Sequence, residues 1–188
     1  MLPERAKLLA ELLCEIKDTD NYWLPDEVWV PFNQVVRLPF IELAVARCLY
    51  NKPDQSIQWQ ILMTYRDDQY FKGWHLPGGL WKVPAKTYQA GCNDIANCEL
   101  GISVHYLRML HTLPWNDHEY GNPLSLLCLS VTSDKVTESE TQKFFSLGNL
   151  PESMVKHHQD FAERAFSACM RFRSLSDLID YYEVIKNR

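Results

Sequence analysis

Apolar residues recur at helical spacing over 3–18, PERAKLLAELLCEIKD, where Leu8, Leu9, Leu12, Leu13 and Ile16 form one stripe and Pro3 suits a first turn. A stripe of this kind is expected to dock on its own domain. Asp18-Thr19-Asp20-Asn21 then turns the chain, and residues 25–37 predict a second short helix, broken or kinked near Pro31. Beyond this point the period shortens. Pro39–Leu49 reads as a strand and Ile57–Tyr65 alternates as another, joined across Asn51-Lys52-Pro53-Asp54. A short apolar run enters Pro77-Gly78-Gly79, whose glycines leave backbone amides and carbonyls open to close approach. Helical spacing returns from Thr87 and stops at Gly101. Ser103–Thr112 and Leu124–Thr132 predict two more strands around a polar, aromatic loop, 114–123. A helix follows from His157 to Phe172, and a last one runs from Ser174 to Asn187, capped by Ser174 or Ser176.

On a helical wheel of about 100° per residue, Tyr88, Gly91, Cys92, Ile95, Ala96 and Cys98 gather on one side of the third helix, while Gln89, Asn93, Asp94 and Asn97 take the other. Glu99 falls on the apolar side, next in angle to Cys92 and Ile95, and in the last turn, where the helix dipole disfavours a carboxylate. A carboxylate withdrawn from water is neutralised, paired or bound to a cation. Glu99 is therefore expected either to ion-pair with Lys82 or Arg66, or to hold a divalent cation.

Composition narrows the classes. With 188 residues, 46% hydrophobic and 23% charged, the chain is long enough for one domain with a sizeable core. A net charge of −5 argues against a nucleic-acid or membrane-surface partner. The six cysteines include no Cys-x-x-Cys pair and read as reduced thiols, so a cytoplasmic location is expected. No apolar run approaches the length of a membrane span.

Other side chains carry possible chemistry. Trp74 and Trp81 flank the glycine loop, where indoles can stack on a base or serve as core or rim. His111, Asp117, His118 and Glu119 have metal-ligand types without metal-ligand spacing, and His118 is a candidate general base because it titrates in the right range. His157-His158 reads as helix surface.

Pro77-Gly78-Gly79, a loop, a helix and Glu99-Leu100-Gly101-Ile102 resemble the Nudix box, the signature of hydrolases of nucleoside diphosphates linked to another moiety. Gly79, Glu99, Gly101 and Ile102 are kept. Ala85 or Lys86 stands for the first glutamate, Asp94-Ile95 for Arg-Glu, and Cys98 for a final glutamate. Cys98-Glu99-Leu100-Gly101 is most similar to the degenerate box of the GDP-mannose mannosyl hydrolases, and Phe32–Arg37, Pro39 and Leu62–Arg66 resemble the order of elements before it.

The resemblance implies an α+β fold, a Nudix-type α/β/α sandwich with a mixed central sheet plus N-terminal and C-terminal helices. It implies an N-terminal helical extension over 1–38 packing on the core, a Nudix-like domain over 39–172 and a C-terminal helix over 173–188. One Mg2+, or Mn2+, would be held by Gly79 and Glu99 with Glu140 as a further ligand, and Arg66 would meet substrate phosphates unless it pairs with Asp67 or Asp68. Thr141 takes the approximate place of that branch's base histidine and cannot replace it. The expected function is hydrolysis of a nucleoside diphosphate derivative, a nucleotide sugar such as GDP-mannose. The alternatives are a ligand-binding or regulatory protein on the same fold, or an interaction protein whose N-terminal stripe makes a homodimer.

Overall fold

The computed structural model describes residues 3–17, 25–51, 56–68, 71–82, 84–116 and 121–186. Helices α1 (Pro3–Lys17) and α2 (Asp26–Val35) precede strands β1 (Pro39–Asn51), β2 (Ser56–Asp67), β3 (Lys72–His75) and β4 (Gly78–Leu80). Helix α3 (Tyr88–Leu100), strands β5 (His105–Pro114), β6 (Leu124–Val131) and β7 (Gln142–Ser146), and helices α4 (Lys156–Cys169) and α5 (Leu175–Lys186) complete the chain. Helix α2 runs through Pro31 without a break. The expected strands and helices are all present, β3 takes the place of the short apolar run before Pro77, and β4 and β7 are additional. Each is too short, at three and five residues, for alternation to show in the sequence.

Among the described residues seven strands form one mixed sheet in which β1 pairs with β6 in parallel and every other strand pairing is antiparallel. Alternation along β1 divides the core. Ala44 and Ala46 join Phe161, Phe166, Leu178 and Tyr182 under α4 and α5, whereas Ile41, Leu43 and Val45 join Cys92, Ile95 and Ala96 under α3. The layers are thus α3, sheet, and α4 with α5: the expected α/β/α sandwich. Because Leu178 and Tyr182 are buried in the same cluster as β5 and β6, the C-terminal helix completes the core rather than appending to it. Helix α1 behaves otherwise. Its residues 3–15 are all exposed, Leu8, Leu9, Leu12 and Leu13 at 42–55%, so the expected docking of the stripe on the core is not found among the described residues.

The sheet forks where the site lies. Strand β1 meets β2 over residues 46–51 and β4 over 40–42 along the same edge, because β6 occupies the other edge. Strand β2 likewise meets β1 over 56–61 and then β3 over 64–67, with β7 on its far edge. Residues 72–80 therefore form a wedge between two diverging strands, β3 bonded to one and β4 to the other. Leu76 and Pro77, buried at the tip, join the two halves.

Candidate functional site

The wedge leaves backbone groups that neither strand satisfies. Leu43 N–H donates to the Pro77 carbonyl at 2.7 Å and Trp81 N–H to the Pro39 carbonyl at 3.0 Å. With Ile41 opposite Gly79 between them, the alternation of an antiparallel ladder turns the Gly79 amide and carbonyl toward β1 and those of Gly78 away from it. Glu99 uses the group so exposed: Gly78 N–H donates to Glu99 Oε2 at 3.3 Å. Gly101, in the left-handed conformation at φ 65°, ends α3 directly after Glu99 and Leu100 and so fixes where that carboxylate emerges.

Glu99 is accessible to solvent rather than buried with Cys92 and Ile95, and Cys98 beside it is also exposed. Surrounding protein nevertheless limits the hydration of the carboxylate, and this pushes its pKa up to about 6 against the opposing Gly78 amide and the Arg66 charge. Lys82 does not pair with it, and among the described residues no lysine or arginine forms a salt bridge to it.

A second carboxylate lies on the other side of the same glycine. Glu42, on β1 opposite Gly78, is 5% exposed and accepts a hydrogen bond from Ser125 Oγ at 3.2 Å. A side chain on Gly78 would lie 2.2 Å from Glu42 Oε2, so the missing Cβ is what admits this carboxyl. Burial pushes its pKa up to about 8; the Ser125 hydrogen bond opposes this and the nearby Glu99 charge adds to it. His158, expected on the helix surface, is 5% exposed beneath Glu42, with Nδ1 3.8 Å from Glu42 Oε2. Its Nδ1 accepts the Leu76 N–H at the wedge tip at 3.2 Å, so that nitrogen carries no proton and the pair is not an ion pair.

A buried, neutral carboxyl has a consequence for stability. Folding raises the Glu42 pKa from 4.5 to about 8, so the folded state binds more protons between those values and stability falls as pH rises through them. The Glu42→Gln variant, neutral at every pH, is expected to match the parent near pH 4.5 and to exceed it by roughly 4 kcal/mol at pH 9 in metal-free buffer. Denaturant unfolding at a series of pH values measures this, and parallel curves for the two proteins would refute it.

Arg66, at the end of β2, ion-pairs with Asp68 and lies over the Phe71 ring at 5.5 Å, while its charge reaches Glu42, Glu99 and His75. Trp74 is a core residue, 9% exposed, its ring 5.5 Å from Tyr65 and 4.8 Å from Phe145, so it offers no face to a ligand. Trp81 packs on Tyr88 at 4.8 Å and donates Nε1–H to the Ala85 carbonyl at 2.7 Å, which closes the loop before α3. Glu140 is exposed, one residue before Thr141, whose carbonyl accepts the Tyr65 N–H at 2.8 Å; it therefore stands near the Arg66 end of β2. His118 lies outside the described residues. Next to His158, Trp115 stacks on His157 at 4.0 Å and 8°, forming an aromatic wall on the side of the loop before β6. Burial and the Arg66 charge push the pKa of His75 down to about 4, so it is neutral at physiological pH.

Of the groups gathered here, Glu42 is not among the expected site residues, and His158, expected on the helix surface, is buried. For Glu42 a signal existed: one acidic residue inside the apolar run Phe40–Ala46 poses the same question as Glu99.

No family model and no curated protein matches this chain by sequence. Among solved structures it is similar to a MutT/nudix family protein from Enterococcus faecalis, with a TM-score of 0.58 and 16% identity over 87% of this chain and 70% of that one. The NUDIX domain of Shewanella oneidensis NrtR, complexed with ADP ribose, gives 0.56 and 16% over 78% and 99%. An Ap4A hydrolase from C. elegans gives 0.53 and 15% over 72% and 99%. The chain has the Nudix fold. Within this Nudix fold, the glycine wedge and the α3 carboxylate occupy the strand-loop-helix segment that carries the box resemblance. No helix among the described residues is long and apolar enough to cross a membrane.

Proposed function

We propose that the protein is a Nudix-like hydrolase of a nucleoside diphosphate derivative, with a nucleotide sugar such as GDP-mannose as the candidate substrate and one Mg2+, or Mn2+, as cofactor. The observation that carries the reading is the pair of carboxylates, Glu99 and Glu42, flanking the Gly78 peptide with raised pKa values and no cationic ion-pair partner among the described residues. Two such groups fit a divalent cation, whose charge would restore both to their ionised forms. Glu99 and the outward carbonyl of Gly78 would hold it, with Glu140 as a further ligand from the β7 side, and Gly79 in a supporting place because its own carbonyl faces β1. When bound, the cation supplies charge neutralisation for a departing diphosphate.

The chain's own groups do the rest. Arg66, exchanging Asp68 for a phosphate, would orient the diphosphate at the mouth of the fork. Glu42 stores a proton beside Glu99 until a cation arrives, and Trp115 with His157 offers an aromatic wall to the linked moiety. The nearby structure of NrtR with ADP ribose shows that this fold accommodates a nucleoside diphosphate derivative in that protein.

A second reading, ligand binding without turnover, is favoured by one observation: among the described residues no three metal-ligating side chains converge. Incubation with Mg2+ and a panel including GDP-mannose and ADP-ribose separates the two. Nucleotide release is expected. A ligand-dependent rise in Tm without release would select the binding reading, and neither response would reject both.

A further inference from the structure

On the face opposite α3, a cavity of about 270 Å³ opens between β5, α4 and α5, and its walls are basic in a chain whose net charge is −5. Arg108 comes from β5, Arg164 and Ser167 from α4, Arg171 from just beyond the end of α4, and Tyr182 from α5. The three guanidinium groups are solvent-exposed, and their like charges at one cavity make it attractive to an anion. Arg164 has a counter-charge, donating to Asp160 at 2.7 Å. Arg108 and Arg171 form no salt bridge among the described residues; Arg108 lies over the Tyr182 ring at 5.8 Å.

The backbone is arranged to bring one of them in. The register of β5 against β6 slips between Tyr106 and Arg108 and again between Met109 and His111. Bulges of this kind re-aim side chains, and here Leu107 enters the α4 and α5 core while its neighbour Arg108 lines the cavity above that core. Tyr182 is 6% exposed with the Arg108 guanidinium over its ring; burial pushes its pKa up, and the positive charges of Arg108 and Arg171 act against that.

We infer that this cavity is a second ligand site, separate from the glycine wedge, for a small phosphoryl anion: inorganic phosphate or the phosphate of a compact monoester. Arg108 and Arg171 supply charge and forked donors, the hydroxyls of Tyr182 and Ser167 supply neutral ones, and this combination suits a tetrahedral dianion. The volume lies at the low end for small-molecule pockets, which favours a phosphate with little attached over a whole nucleotide.

The test is calorimetric titration of the full chain with inorganic phosphate and, separately, phenyl phosphate at constant ionic strength. Saturable binding is expected, weakened at least about tenfold in Arg171→Ala and in Arg108→Ala and unchanged in Glu99→Gln, which separates this cavity from the wedge. Preference for either anion identifies the source of the phosphoryl group. The exposed position of Arg171 keeps that variant folded, which an unchanged Tm in phosphate-free buffer verifies. Absence of saturable binding of both anions would overturn the assignment. So would unchanged affinity in both arginine variants, or loss confined to Glu99→Gln.

Discussion

Glu99→Gln is expected to lower Mg2+ affinity by at least about 100-fold while leaving the fold intact. The removed charge is one that both the helix end and partial desolvation disfavour and that the single Gly78 amide only partly offsets, so a bound cation is the counter-charge it calls for. The sign of the stability change separates this from general damage. Because folding raises the Glu99 pKa toward 6, its ionised form opposes folding at pH 7–8, and the glutamine variant should be no less stable than the parent without metal. Added Mg2+ should raise the Tm of the parent alone. Equal Mg2+ titrations for the two proteins would remove the basis of the proposed site.

The second large effect is expected at Gly78. Its φ is ordinary and alanine is conformationally allowed there, but the new methyl carbon would stand 2.2 Å from Glu42 Oε2 and 2.9 Å from the Ile41 carbonyl oxygen. The first contact can move only by expelling a carboxyl boxed in by Ser125 and His158, and the second is backbone. Gly78→Ala should therefore cost about 3 kcal/mol in denaturant unfolding and abolish Mg2+ binding. Glu42→Ala in the same chain should restore part of the stability, because the two substitutions share one volume and are not additive. Strict additivity would show that the clash with Glu42 is not the cause.

Much of the architecture was legible because it is periodic. The alternating or continuous apolar runs of β1, β2 and β6 and the 3.6-residue spacing of α3 and α4 announce themselves locally. Strands β4 and β7 do not, since three and five residues carry no period and exist through their partners on β1 and β2. Gly78, Gly79 and Glu99 were readable as a loop and a misplaced charge. Their relation to Glu42 and His158 was not, because it depends on the register of β1 against β4 and on the docking of α4, contacts 36 and more residues apart in sequence. For Trp74 a ligand face and a core position were both open for a similar reason: beside the glycine loop in sequence, it is turned into the core by the β2 and β3 pairing. The solvent-facing Leu8, Leu9, Leu12 and Leu13 show that an apolar stripe states a need for a partner without stating which partner.

The splayed strands also set the gauge of the mouth. Since residues 72–80 are laced to β2 on one flank and to β1 on the other, drawing Arg66 toward Glu99 strains two ladders at once, and the jaws behave as a fixed aperture. Under the proposed function, tolerance for a bulkier ligand would reside in the aromatic lip of Phe71 and Trp115, whose rings stand 5.8 Å apart, and would be widened by paring that lip rather than by loosening the frame.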